Sequence, residues 1–242
     1  MTDTASNLKR QFPSGGTAVV IAASGGIGAA LHEAIKASGA FTTVIGTSRS
    51  GGTAVDLTDE ASIVALAETI KASGQDLRLV FDASGYLHGP QGNPEKSWNA
   101  IDAQTMAYQF AVNTIGPALL VKHLIPLLPR ESRSVFATIS AKVGSISDNR
   151  LGGWYGYRAA KAGLNQIVKT TSIELARKRA EAVCIALHPG TVKTQLSDPF
   201  AKAGVRLQEP HESAAAMLNV VASVEPADSG SLIAYDGTRL PY

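Results

Sequence analysis

The chain is short of three things: cysteine, aromatic residues and any excess of one charge. Its 242 residues include a single cysteine, only 6% aromatics, and 22 Lys+Arg against 20 Asp+Glu, for a net charge of +2. Each shortage excludes something. Cys184, alone in the apolar run VCIAL, has no partner for an internal disulfide and reads as a buried strand residue in a reducing compartment. No basic run stands out, which argues against a nucleic acid or a membrane surface as partner. No uninterrupted apolar run approaches the ~20 residues of a membrane span. The opening MTDTASNLKRQFPSGG is polar and has no apolar h-region of a signal peptide. A cytoplasmic protein without nucleic-acid or membrane partners is therefore expected. His32, His123 and His211 are scattered, so no metal site is expected.

What is present is alternation. Residues 1–16 read as a flexible N-terminal arm and 17–242 as one domain, a length that α/β folds commonly carry undivided. Strand-like runs occupy 17–23, 41–48, 52–57, 76–85, 133–140, 181–188 and 230–237. Helical patterns lie between them: one reaching Ser38, one from Thr58 to Gly74 that opens on Thr58 as a cap, and others over 98–128, 155–178 and 209–224. Strand–helix alternation predicts an α/β fold: a doubly wound, parallel, seven-stranded sheet with helices on both faces, in three layers. Ligands of such sheets sit beyond the carboxyl ends of the strands, so the residues just after each strand are the ones to read for chemistry.

After the first strand comes Ala22-Ala23-Ser24-Gly25-Gly26-Ile27-Gly28. Glycines between a strand and a helix let backbone N–H groups approach a pyrophosphate at the positive end of the helix. After the second strand an acid would favour binding the ribose 2′-hydroxyl of NAD, but the tip reads Thr47-Ser48-Arg49-Ser50. Hydroxyls and a guanidinium suit a 2′-phosphate, so NADP(H) is expected in preference to NAD(H). Asp56 either hydrogen-bonds the adenine amino group or caps the following turn.

GGWYGYRAAKAGLNQ, residues 152–166, holds two tyrosines before a lysine. Tyr157 and Lys161 are four apart and share a helix face, whereas Tyr155 and Lys161 are six apart and do not. A neighbouring ammonium favours phenolate, which makes Tyr157 a candidate general acid–base. Small neighbours, Ala159, Ala160, Ala162 and Gly163, leave room for a cofactor or partner. In AVNTIGPALL, Pro117 has no N–H for the carbonyl of Asn113, which predicts a kink with a free carbonyl there.

The glycine turn, Tyr157-Arg158-Ala159-Ala160-Lys161 and His188-Pro189-Gly190-Thr191-Val192-Lys193-Thr194, in that order, resemble the short-chain dehydrogenase/reductase family. GSISDNRLGGWYGYRAAKAGLN looks closest to its C-factor-like branch. The resemblance covers nearly the whole chain. It implies a Rossmann fold, hydride exchange between NADP(H) and a carbonyl or alcohol, and a homodimer or homotetramer. By the same likeness Tyr157 is the acid–base. Lys161 binds the nicotinamide ribose and lowers the tyrosine pKa, and the Asn113 carbonyl holds a relay water. Val192 and Thr194 hold the carboxamide. The implied cofactor face comprises Ser24, Gly25, Gly26, Ile27, Gly28, Ser48, Arg49, Asp56, Leu57, Ala83, Ser84, Gly85, Asn113, Tyr157, Lys161, Pro189, Gly190, Val192 and Thr194.

Three positions depart from the family's pattern. Ala22 stands for its first glycine, and Asp82-Ala83-Ser84-Gly85 for Asn-Asn-Ala-Gly. In Ser140-Ala141-Lys142-Val143-Gly144 the usual serine offset falls on Ala141. Ser140 is taken as the catalytic serine, with Ser145 as another possible donor. Residues 86–98 and 195–208 are expected to frame the substrate, with Leu196, Phe200, Val205 and Leu207 as an apolar lid. The departures also motivate two rivals: a non-catalytic dinucleotide sensor or signalling protein on the same fold, and a scaffold that binds no nucleotide.

Overall fold

The computed structural model describes residues 4–197 and 207–242. Phe200 and Val205 of the expected lid lie outside the described residues. The chain runs α1 (Thr4–Gln11), β1 (Thr17–Ile21), α2 (Gly26–Ser38), β2 (Thr43–Gly46), α3 (Glu60–Ala72) and β3 (Leu77–Asp82). It continues α4 (Ala103–Phe110), α5 (Gly116–Leu124), β4 (Ser134–Ile139), α6 (Tyr155–Lys178) and β5 (Ala182–His188). It closes with α7 (Pro210–Ser223), β6 (Leu232–Ala234) and β7 (Arg239–Leu240). The sheet order is β2-β1-β3-β4-β5-β6-β7. All neighbours are parallel except β6 and β7. The chain reverses its winding between β1 and β3, the point where such sheets open a crevice at their carboxyl edge.

The inner strands β1, β3, β4 and β5 are buried on both faces, as consecutive residues point to opposite sides, whereas β2 and β7 at the edges are half-buried to exposed. Val20, Phe81 and Ile185 pack under α2 and α7, with Leu31, Ile35, Met217 and Val221. Val19, Val80, Phe136 and Cys184 pack under α3, α5 and α6, with Ile63, Leu66, Leu120, Leu164 and Val168.

Three expectations need correction, and one apolar stretch needs comment. Residues 4–11 form a helix rather than a flexible arm: Leu8 and Phe12, four apart, are both buried in the α2/α7 core, and the Phe12 and Phe41 rings lie 5.0 Å apart. The polar composition of this segment hid a one-sided pair. Residues 52–57 add no strand to the sheet; Ala54 makes one bridge to Ser48, folding the segment back on the tip of β2. The seventh strand is instead Arg239–Leu240, antiparallel on the edge. The cap of α3 is Asp59, whose carboxylate accepts from Ala61 N at 3.1 Å. Finally, residues 103–127 are long and apolar enough to cross a membrane by length and composition. They are interrupted, however, and Leu120 and Leu124 are fully buried under the sheet. The interruption is a π turn, Ala111–Ile115, in which Gly116 N donates to Ala111 O. It falls where Pro117 withdraws its N–H, so the helix is broken at the expected place, by a π turn.

Candidate active site

At the phosphate end, β1 stops at Ile21 and Ala22 takes a left-handed conformation, φ 60°. That explains why glycine suits this position and why Ala22 matters: a side chain there costs roughly 1–2 kcal/mol. The alanine's penalty visible here is one of backbone conformation. Gly25 N then donates to Ala22 O at 3.1 Å, and α2 starts with no side-chain cap. Its first N–H groups therefore have no side-chain acceptor, as at the helix starts that suit an anion. A Cβ on Gly28 would overlap the carbonyl of Ala22, so glycine is required to seat the helix on the turn. Ser24, Gly25 and Gly26 are exposed and Ile27 is half-buried. A Cβ on Gly26 would lie 2.9 Å from Thr194 Cγ2, so the segment after β5 comes down beside this turn.

Arg49 is exposed beyond β2, next to the half-buried Ser48. Asp56 caps the following turn, the second of its two readings: its Oδ1 accepts from Thr58 N at 2.8 Å and Thr58 Oγ1 at 2.7 Å. Those bonds, with lesser help from Arg49, hold its carboxyl below the usual range. Leu57 is turned into the core, pressed against Gly116.

After β3, Asp82 is fully buried and joins strands: it accepts from Thr138 Oγ1 at 2.7 Å and from Ser84 N at 3.0 Å. Ala83 N donates to Ile21 O at 3.2 Å. Ser84 Oγ is buried without a partner, a polar atom with capacity to spare. A Cβ on Gly85 would sit 3.7 Å from Asn113 Oδ1 and 3.9 Å from Lys161 Nζ. The third strand end, the π turn and α6 thus converge on one small space.

At the reacting end, Lys161 is buried, its Nζ donates to Ile139 O at 2.8 Å, and it lies 5.9 Å from the centre of the Tyr157 ring. The four-residue spacing does bring these two together. Burial pulls the Lys161 pKa down to about 8, opposed by the charge of Asp82. Burial pushes the Tyr157 phenol well above its usual value. The expected lowering of the tyrosine is therefore reversed in the protein alone: the ammonium is bound to a carbonyl, and desolvation of the phenolate outweighs it. Asn113 uses its whole side chain to hold the segment after β3. Its Oδ1 accepts from Tyr86 N at 2.9 Å, and its Nδ2 donates to Tyr86 O and to Gln109 Oε1, each at 2.8 Å. Thr114 Oγ1 donates to Ala160 O at 2.7 Å, fastening the π turn to α6 one residue before Lys161.

Ser140 is not presented to this space. It is buried, extends β4, and its hydroxyl donates to Asn165 Oδ1 at 2.7 Å, two helical turns beyond Tyr157. Strand alternation faces it into α6. Gly144, by contrast, presses on the backbone of Lys161, where a Cβ would come within 2.9 Å. The next residue, Ser145, accepts Asp148 N at 3.2 Å, and its own hydroxyl proton has no acceptor among the described residues. Val192 is buried, and Thr194 Oγ1 lies 3.2 Å from Ser197 Oγ. Pro189 and Gly190 start this segment, where Gly190 has φ 78° and Pro189 O accepts from Ser213 Oγ at 2.8 Å. Gln109, missed in the sequence, is buried beside Asn113 and donates to Leu87 O at 3.0 Å. Its four-residue spacing from Asn113 was the available signal.

A family model described as enoyl-(acyl carrier protein) reductase matches residues 10–238. The chain belongs to the short-chain dehydrogenase/reductase family. As a member it is an oxidoreductase of CH–OH and C=O groups, and the family binds nicotinamide dinucleotides. This dehydrogenase/reductase is 34% identical to C-signal of Myxococcus xanthus over 143 residues, 59% of this chain and 81% of the relative. It is 28% identical to 1-hydroxy-2-glutathionyl-2-methyl-3-butene dehydrogenase of Rhodococcus sp. over 188 residues, 78% of each chain. The NADPH-bound carbonyl reductase from chicken fatty liver superposes with a TM-score of 0.82 at 25% identity, covering 94% of this chain and 99% of that one.

Proposed function

We propose that this protein is an NADP(H)-preferring carbonyl reductase in which Tyr157 gives the proton. The observation that carries the reading is the buried Tyr157–Lys161 pair beside the open position at Gly85. A bound nicotinamide dinucleotide supplies the hydride. The uncapped first turn of α2, with Ser24, Gly25, Gly26, Ile27 and Gly28, fits its pyrophosphate; Ser48 and Arg49 fit a 2′-phosphate, and Val192 and Thr194 a carboxamide. Ala83, the partnerless Ser84 hydroxyl and Gly85 fit the face between. Burial keeps the Tyr157 phenol protonated at neutral pH, which suits donation to a carbonyl oxygen and hence the reductive direction. Lys161 and Asn113 hold the floor of the site. Ser145, in place of Ser140, is the donor that steadies the carbonyl oxygen, since its hydroxyl proton is unspent. Leu196 and the exposed Leu207 suit an apolar small-molecule substrate. A groove of about 550 Å³ between α5 and α6, lined by Val121, Ile125 and Ile167, suits a homodimer or homotetramer. A cytoplasmic location fits this reading.

The second reading, a dinucleotide-binding signalling protein, is favoured by the likeness to C-signal and by the strained Ala22. One experiment separates them: titrate NADPH and NADH by nicotinamide fluorescence, then assay carbonyl reduction for wild type and Tyr157→Phe. The enzyme reading expects tighter NADPH binding and a loss of about 10²–10⁴ in kcat with binding spared. NADPH binding without turnover of any carbonyl by wild type supports the signalling protein.

A further inference from the structure

The helix that carries Tyr157 begins without the usual side-chain cap. The residue at the cap of α6 is Trp154, at φ 54° and ψ 44°, with no side-chain bond to the first turn. Gly152 and Gly153 before it are also left-handed, φ 62° and 66°, so the chain enters α6 through three such residues, and only the third is not glycine. A left-handed tryptophan is strained, and its indole offers no acceptor to the N–H groups that a helix start leaves open.

The acceptor comes from 61 residues upstream. Both carboxylate oxygens of Glu95 receive Gly156 N, at 3.1 and 3.3 Å, and the Glu95 carbonyl receives Trp154 N. Glu95 is only 4% exposed. A buried carboxylate is costly unless it is bonded, and the positive end of a helix is a place that supports one. Gly156 is shaped for it: a Cβ there would lie 2.9 Å from Glu95 Oε1. Glu95 also belongs to the 86–98 segment, whose other end is held by Asn113 at Tyr86 and by Gln109 at Leu87. The segment is thus strung between the π turn and the first turn of α6. Tyr157 follows Gly156 directly, and the Trp154 ring stands edge-on to the Tyr157 ring, 6.1 Å between centres.

We propose that Glu95 is a positioning residue: its carboxylate replaces the missing cap of α6 and so sets Tyr157 and the substrate-framing segment as one unit. The turnover part of this inference rests on the reading of Tyr157 as proton donor; the cap does not. The test compares Glu95→Gln, Glu95→Asp and Glu95→Ala with wild type in kcat, KM, NADPH binding and amide hydrogen exchange. Gln keeps an oxygen at the same reach, whereas Asp falls one methylene short. Glu95→Ala is expected to lower kcat about 10–100-fold through misplacement of the phenol and to raise KM as the substrate-framing segment loosens, with NADPH affinity little changed. Exchange at Gly156, Tyr157 and Arg158 should accelerate while α3 stays protected. Glu95→Gln should stay near wild type, and Glu95→Asp should resemble Glu95→Ala; that order decides the matter if Glu95→Ala does not fold. Unchanged kcat and exchange in Glu95→Ala would overturn the proposal. So would exchange loosened across α3 together with lost NADPH binding, which marks a merely structural residue. If wild type reduces no carbonyl, the reading of Tyr157 falls, while the exchange pattern still decides whether Glu95 caps α6.

Discussion

The two ends of the crevice are built differently. The phosphate end is backbone: an uncapped helix start, a left-handed Ala22 and glycines seated against carbonyls. The reacting end is side chain: Lys161 on Ile139 O, Asn113 on Tyr86, Thr114 on Ala160, Ser140 spent on Asn165. A site made of backbone within a few consecutive residues tolerates a departure such as Ala22 at the price of strain. A site made of side chains from several elements does not, because each bonded atom is committed to named partners, and moving it leaves another buried group unsatisfied.

The sharpest way to break this contrast is at the two serines. Ser145→Ala should lower kcat by about 10²–10³ if it supplies the carbonyl donor, while Ser140→Ala should leave kcat near wild type and lower the melting temperature. The opposite pattern in steady-state kinetics would return the role to Ser140. At the phosphate end, Arg49→Ala should weaken NADPH binding about 10–100-fold, the value of a charge-assisted bond, and leave NADH binding nearly unchanged in fluorescence titration. Equal losses for both cofactors would show that Arg49 does not read the 2′-phosphate.

Lys161 gives a test in pH. Its folded pKa is depressed from 10.5 to about 8 by burial. Below about 8 it is charged in both states and the folded protein carries the desolvation penalty. Between 8 and 10.5 the unfolded chain binds the extra proton, so stability rises with pH; above 10.5 the penalty is gone. Lys161→Met should therefore gain most in relative stability below pH 8, and the gain should shrink through this window in thermal melts. A pH-independent difference would show that the lysine is not desolvated. The smallest effect belongs to Ala22→Gly, which removes the left-handed strain and should stabilise by about 1 kcal/mol. A loss of stability would mean that glycine's greater freedom when unfolded outweighs the strain.

Legibility follows the same division. The glycine turn, the Tyr157–Lys161 spacing and the break at Pro117 could each be read from a few neighbouring residues. The doubly wound order followed from strand–helix alternation. What escaped was long-range or one-sided. Two apolar residues in a polar arm were enough to bury α1. Residues 52–57 had a strand's composition but reached only the tip of β2. The serine offset fell on Ala141, which has no hydroxyl, and whether its neighbour Ser140 faces the site depends on how β4 ends against α6.

By itself the sequence determined the local conformations, and with them the family's fold: periodicity of apolar residues, glycines where φ turns positive, and a proline that removes one N–H. Only the tertiary structure decided which polar atoms meet. Glu95 and Gly156 are 61 residues apart, and Asp82 and Thr138 are 56 apart. Hydrogen bonds act over about 3 Å, so such pairs exist only once the layers have packed. The charge states of Tyr157 and Lys161 were decided there too, because desolvation depends on what surrounds a group and not on its neighbours in the chain.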